Sequence, residues 1–468
     1  MNAVLDQAAS ATAANNPRAL KRSMRVIGTL LLTLSSVTPA SSVFVIVPGV
    51  IQQAGTGAFF SMFAAALLCF PVALVYAELS SAFPIAGGEY CMLGRTLGAG
   101  WGFAMVGLIL IGNMLTPAVL ALGAGVYIGA VIPGLNAEAV AIAIIVGTTI
   151  LAVLHIRTNA WVTGVFLVLE IIALLVLAGL GLFHPERSLG DLALHPVALQ
   201  DGTLRPTPLA FIGLASAVSV FAYYGFSSAV YFTEEMHEAP RLIGRTILWA
   251  TVITVLTELV PVTAVLIGTP DLKSLMGSSS PFSDFVLARG GHILNAAISL
   301  SIALAIINAV LATLLQNARF LFSTGRDLAW HRHINDGFTR THPRFHSPWV
   351  ATLVSGGSSI LMCSLGMNLL LVLTGTGIVL TYAGVCAATL AGRRNGTTAH
   401  AAFRMKAYPL IPIIGLIGFA GILYTSWLDP DVGRLSLIAN LVVIALSLVY
   451  YLLVLRKGDG WVLRGPAD

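Results

Sequence analysis

Apolar residues fall in about twelve long blocks separated by short polar intervals. A bilayer core about 30 Å thick asks for roughly 20 apolar residues per helix. The blocks lie near 26–52, 56–79, 100–131, 137–155, 159–183, 208–232, 243–267, 292–322, 348–366, 369–391, 408–428 and 433–455. Each predicts a membrane-crossing helix, so the chain is expected to be all-α and polytopic. The interval from about His184 to Pro208 is too polar to enter a membrane, and so is the one from Arg326 to Ser347.

Two blocks carry internal breaks. The first holds Ser35-Ser36-Val37-Thr38-Pro39-Ala40-Ser41-Ser42, and the sixth holds Tyr223-Tyr224-Gly225-Phe226-Ser227-Ser228. Pro39 lacks an N–H and crowds the preceding turn, and Gly225 weakens helix continuity. The Ser and Thr clusters supply hydrogen bonds to freed backbone groups that lipid cannot satisfy. Breaks in corresponding spans of two halves are the sequence pointer to a transporter site at the interface of inverted repeats.

Composition agrees with lipid as the solvent. Of 468 residues, 57% are hydrophobic and only 10% charged, with a mean hydropathy of +0.89. A soluble domain carries about a quarter of its residues as Asp, Glu, Lys and Arg. The net charge of +5 matters less than its distribution. With the N-terminus in the cytoplasm, the outer loops keep five of the 25 Lys and Arg: Arg187, Arg205, Lys273, Arg289 and Arg434. The rest lie inside, which is the positive-inside pattern for an even number of spans with both termini cytoplasmic. Charges spread over loops in this way exclude a nucleic-acid stripe. Cys69, Cys91, Cys363 and Cys386 lack metal spacing and read as packing residues. The histidines at 331, 333, 342 and 346 read as a basic interfacial loop, so neither metal nor cofactor is expected.

Carboxylates inside the blocks are few. Glu170 lies in the middle of the fifth and Glu258 in the seventh. A charged carboxylate at that depth costs at least about 2.5 kcal/mol, which brings the protonated form within reach near neutral pH. Both are therefore candidate proton-coupling groups. Glu78, Glu89, Arg95, Glu234, Glu235 and Arg241 are expected at cytoplasmic helix ends, forming interfacial salt bridges that steady the inner mouth.

Three stretches then carry a resemblance. They are Ala77-Glu78-Leu79-Ser80-Ser81-Ala82-Phe83-Pro84-Ile85-Ala86-Gly87-Gly88-Glu89-Tyr90, Phe221 to Phe226 with Glu234-Glu235 and Pro240-Arg241, and Gln316-Asn317-Ala318-Arg319 with Gly325-Arg326-Asp327. Together they resemble the amino acid–polyamine–organocation (APC) superfamily of permeases over nearly the whole chain. The resemblance implies a LeuT-like five-plus-five inverted repeat with discontinuous helices one and six. It divides the chain into a cytoplasmic tail at 1–25, a ten-helix core at 26–391, and two C-terminal helices with a short tail at 392–468. It also implies a substrate site formed by Thr38, Pro39, Ala40, Ser41 and Ser42 with Phe221, Tyr223, Tyr224, Gly225, Phe226, Ser227 and Ser228. The backbone N–H groups around Ala40–Phe44 would take a substrate carboxylate, and Phe221 would close over the ligand. Three departures are visible: Ala40, Ser41 and Ser42 replace the glycines of many members, Ser227 stands where some cation-selective members are acidic, and Glu170 stands where several proton-dependent members carry Lys.

The expectation is a secondary transporter of the cytoplasmic membrane, taking up an amino acid or related amine with protons by alternating access. Its partners are the small-molecule substrate, protons and the bilayer. An amino acid/amine exchanger of the same fold is the alternative, and a transporter-like nutrient sensor a more distant one. Isolated breaks rather than a continuous polar face argue against a channel, and no catalytic constellation marks an enzyme.

Overall fold

The computed structural model describes residues 26–85, 87–132, 134–154, 156–345, 347–456 and 461–463. The expected tail at 1–25, His155 and His346 lie outside the described residues, as does the side chain of Glu235. Among the described residues, nine continuous segments are long and apolar enough to cross a membrane. The first, Val26–Ala82, holds two crossings, because the chain turns at Gly55–Gly57, where Gly55 takes φ +59° and ψ −130°. Two shorter apolar helices, Ala137–Val153 and Trp349–Met362, bring the total to twelve.

Numbered in chain order, span one covers 26–54, span two Ala58–Ala82, span three Ala99–Val131, span four Ala137–Val153, span five Ile156–Phe183 and span six 209–235. Span seven is Ala239–Gly268, span eight Pro281–Arg326, span nine Trp349–Met362, span ten Met367–Arg394, span eleven Leu410–Leu428 and span twelve Gly433–Leu455.

The polarity of a soluble helix is inverted here. On span five, Val165, Val168, Ile172 and Leu175 are each more than half exposed and recur at helical spacing. That outward stripe suits acyl chains. Glu170 falls on the opposite face and is fully buried.

Spans one to four each pack on the span five places later in the chain. Span one meets six, two meets seven, three meets eight, and four meets nine. Span eleven covers spans two, six and ten, while span twelve packs on three and ten. Span three has 33 residues, about 50 Å at 1.5 Å per residue, so it crosses a 30 Å core at a tilt.

The structure departs from expectation at one boundary and adds a folded segment outside the spans. The eighth block, expected at 292–322, begins at Pro281 and bends at Gly291, where φ is +76°. The polar interval after span five is also ordered. Ser188 and Asp191 form a capping box on helix Leu189–Leu194, and strands Val197–Gln200 and Thr203–Pro206 pair as a hairpin. Its turn, Asp201-Gly202, has positive φ at both positions, the geometry favoured by strand twist in two-residue hairpins. Thr56 Oγ1 accepts from Val197 N at 2.8 Å, which seats the hairpin over the turn between spans one and two.

Candidate functional site

Span one breaks where its sequence removes helix bonds. Its first half ends with Thr38 N donating to Leu34 O at 2.8 Å. Thr38 then adopts φ 48°, ψ 69°, costly for a β-branched residue, and its hydroxyl donates to Val37 O at 2.7 Å. Pro39 opens the second half at the position where its missing N–H costs nothing, and Ser42 N donates to Thr38 O at 3.0 Å. A π-helical turn at Ser42–Ile46 follows before Val47–Ala54 resumes as α-helix. Ser36 and Ser42 bind carbonyls of the first half, Leu32 O at 3.0 Å and Val37 O at 3.2 Å.

Span six breaks beside it. Helix Leu209–Ala222 stops at Tyr223-Tyr224-Gly225, with Gly225 at φ +121°, and Phe226–Glu235 continues as a 3-10 helix. A Cβ on Gly225 would stand 2.7 Å from Val37 Cα. The two breaks therefore touch backbone to backbone, at a glycine required both by φ and by space.

Two buried carboxyls converge on this junction. Glu170 of span five accepts from Ala40 N at 3.3 Å through Oε2. Ala40 N–H is one of the free donors of the second half-helix, at its positive dipole end. Glu258 of span seven is equally buried and stands near Ser42 and Glu170. Neither of its oxygens has a hydrogen-bond partner among the described residues, and the same holds for Glu170 Oε1, Ser41 Oγ, Tyr223 OH and Thr254 Oγ1.

Beside the break lies a cavity of about 20 Å³, room for a water molecule or so. Thr38, Ser42, Phe221 and Tyr224 line it together with Ile46, Leu120, Asn113, Thr116, Thr313, Gln316 and Asn317. The sequence-expected residues thus divide. Thr38, Ser42, Phe221 and Tyr224 face the cavity. Pro39, Ala40, Ser41, Tyr223, Gly225, Phe226, Ser227 and Ser228 are buried in the junction but do not line it. Phe226 packs in an aromatic cluster, edge-on to Tyr76 and tilted against Tyr382. Sequence reasoning missed the wall from spans three and eight, where Asn317 Nδ2 donates to Asn113 O at 2.7 Å. A signal was there: Gln316-Asn317 are two consecutive amides inside an apolar block, expensive in lipid unless they face a cavity.

The arginine-rich end of the bundle is closed by polar pairs. Arg393 clamps Glu78 with two 2.6 Å bonds, and Met405 N adds a third at 2.9 Å. Arg326 clamps Glu234 with two 3.1 Å bonds. Glu78 and Glu234 thus form ion pairs as expected, with Arg393 and Arg326 as partners in place of Arg95 and Arg241. Glu89 departs from expectation. It is fully buried and accepts from Tyr76 OH at 2.8 Å and Tyr231 OH at 2.5 Å instead of meeting a cation. Burial pushes its carboxyl up, and the Tyr231 and Tyr76 hydroxyls pull it back. Arg95 bonds Leu463 O and lies over the Phe83 ring, and Arg241 is exposed. Replacing Arg393 with Met strands the Glu78 carboxylate in a buried site, at a cost of about 3–5 kcal/mol. Thermal unfolding in detergent should show a lowered midpoint that Glu78→Gln in the same chain largely restores.

The family model described as amino acid permease matches residues 25–453. A branched-chain amino acid permease of Bacillus subtilis is 24% identical over 469 residues, with 95% of each chain covered. An uncharacterised transporter of Mycobacterium tuberculosis is 26% identical over 407 residues, covering 86% of each. A low-affinity putrescine importer of Escherichia coli is 20% identical over 394 residues, covering 82% of this chain and 83% of its own.

Proposed function

The chain belongs to the amino acid permease family of the APC superfamily, a multi-pass membrane transporter of amino acids or amines, and we propose that it takes up a zwitterionic aliphatic amino acid together with a proton. The observation that carries this reading is the Glu170 carboxyl on Ala40 N–H. That donor lies at the half-helix end suited to a substrate carboxylate. Substrate and Glu170 then compete for one N–H. A buried carboxyl that loses its donor is favoured as the neutral acid, so substrate entry and proton uptake are linked, and linkage is reciprocal. Glu258, beside Glu170 and Ser42, is the second proton carrier of the pair.

The substrate side chain is assigned from the cavity wall. Ile46, Leu120 and Phe221 present apolar surface there, and among the described residues no acidic one lines that cavity. This favours an aliphatic amino acid, as in the name of the Bacillus subtilis permease, over a polyamine as in that of the Escherichia coli importer. In the cell the arginine-rich end faces the cytoplasm, in keeping with the positive-inside rule, and both termini lie there.

The test is net uptake in proteoliposomes. Leucine, isoleucine and valine should accumulate when the outside is acidified, with no amino acid inside. Movement only against internal substrate would overturn proton-coupled uptake in favour of exchange. Thermal-shift screening checks the substrate class, since a ligand stabilises by RT ln(1 + [L]/Kd). Stabilisation by putrescine but by no aliphatic amino acid would overturn the side-chain assignment.

A further inference from the structure

A second chamber lies beyond the central cavity, toward the arginine-rich end. It has a volume of about 30 Å³, and Asn113, Thr116 and Tyr224 line both spaces. One aromatic residue of the span-six break therefore stands between them. The far wall carries Thr374 and Thr381 of span ten, Asn440 of span twelve, and Glu89.

Glu89 is unlike the other carboxylates of this end. Glu78 and Glu234 are each matched to an arginine, whereas the groups that face Glu89 are phenols. Tyr76 belongs to span two, Tyr224 and Tyr231 to span six, and Tyr382 to span ten. Among the described residues no Lys or Arg forms an ion pair with it. Two hydroxyls and its own backbone N–H use three of the roughly four acceptor positions of a carboxylate. The remaining capacity opens on a chamber bearing threonine hydroxyls and a tyrosine ring. A buried carboxylate without a cation is costly until one arrives, and the ring face adds attraction for a cation.

We propose that Glu89 and the chamber behind Tyr224 form a second binding station, for the ammonium group of the substrate as it leaves the central site. The chamber is too small for a whole amino acid in this closed state, so it takes the ammonium first while the carboxylate end is still near span one. Tyr224 yields to let it pass. The transport role rests on the reading of the substrate as an amino acid; the cation site does not.

Two arms keep those failures apart. In the first, the full-length protein in detergent is titrated with methylammonium chloride, and unfolding temperature is read. Wild type should show a saturable upward shift. Glu89→Gln should raise the apparent Kd at least tenfold, and Thr381→Val, a milder change at the chamber wall, should weaken binding several-fold. An equal shift from sodium chloride would overturn the ammonium assignment in favour of an inorganic cation. A methylammonium shift unchanged in both Glu89→Gln and Thr381→Val would overturn the site, and Thr381→Val alone decides should Glu89→Gln not fold. In the second arm, leucine counterflow in proteoliposomes should slow about tenfold in Glu89→Gln while leucine still stabilises that variant, with partial rescue by Glu89→Asp. Unchanged counterflow in Glu89→Gln would overturn the station. If leucine fails to bind wild type, the aliphatic substrate reading falls, and the methylammonium arm still reads Glu89.

Discussion

Glu170→Gln should abolish acid-driven accumulation of substrate while leaving exchange intact. The amide oxygen of Gln can still accept from Ala40 N–H, so the junction between the broken spans keeps its geometry, and only the proton site is lost. One positive charge moving across 100 mV is worth about 2.3 kcal/mol, which corresponds to about a 50-fold concentration ratio. Wild-type vesicles energised in this way should approach that ratio. The Gln variant should settle near equality inside and out, with counterflow within a few-fold of wild type. Accumulation by Glu170→Gln that follows the wild-type curve across a pH series would remove Glu170 from the coupling mechanism.

Gly225→Ala should be severely damaging for so small a substitution. The new Cβ meets Val37 Cα at 2.7 Å, a backbone atom that no rotamer can move aside, and φ stays at +121°. Strain and overpacking together cost about 3 kcal/mol or more. The unfolding midpoint in detergent should fall by several degrees, and uptake should be lost even in protein that reaches the membrane, because the two breaks can no longer touch. Full uptake with a wild-type midpoint in this variant would show that the contact of Gly225 with Val37 is dispensable. Ala222→Gly, one turn earlier, is the control: Ala222 is buried in regular helix, and its loss costs about 1 kcal/mol by propensity.

What was legible in the sequence follows the local character of each signal. The breaks at Thr38–Ser42 and Tyr223–Ser228 were readable because proline, glycine and hydroxyl clusters act within a few residues. Glu170 and Glu258 stood out against apolar neighbours. Their meeting at one junction was not readable, since it depends on spans five and seven crossing the same turn of span one. The cavity wall from Asn113 and Gln316-Asn317 was hidden for the same reason, being assembled across about 200 positions of chain. Glu89 misled: at a helix end near arginines it reads as one partner of an interfacial salt bridge, and only the fold brings Tyr76 and Tyr231 around it. The hairpin shows the opposite failure, since Asp201-Gly202 between short apolar runs is a local signal that went unused.

The tight winding of the lower half of span six has a consequence for how the arginine-rich end is closed. A 3-10 helix advances three residues per turn, so residues three apart point the same way, whereas in an α-helix they diverge by about 60°. Ser228, Tyr231 and Glu234 therefore share one ridge of the ten-residue segment. Along that ridge a hydroxyl binds the break itself, at Gly225 O, a phenol holds Glu89, and a carboxylate holds Arg326. A threefold screw thus sets three latches in a single line. Relaxation to ordinary α-helical winding would fan them apart by tens of degrees, so the three bonds are released by one twist rather than one by one.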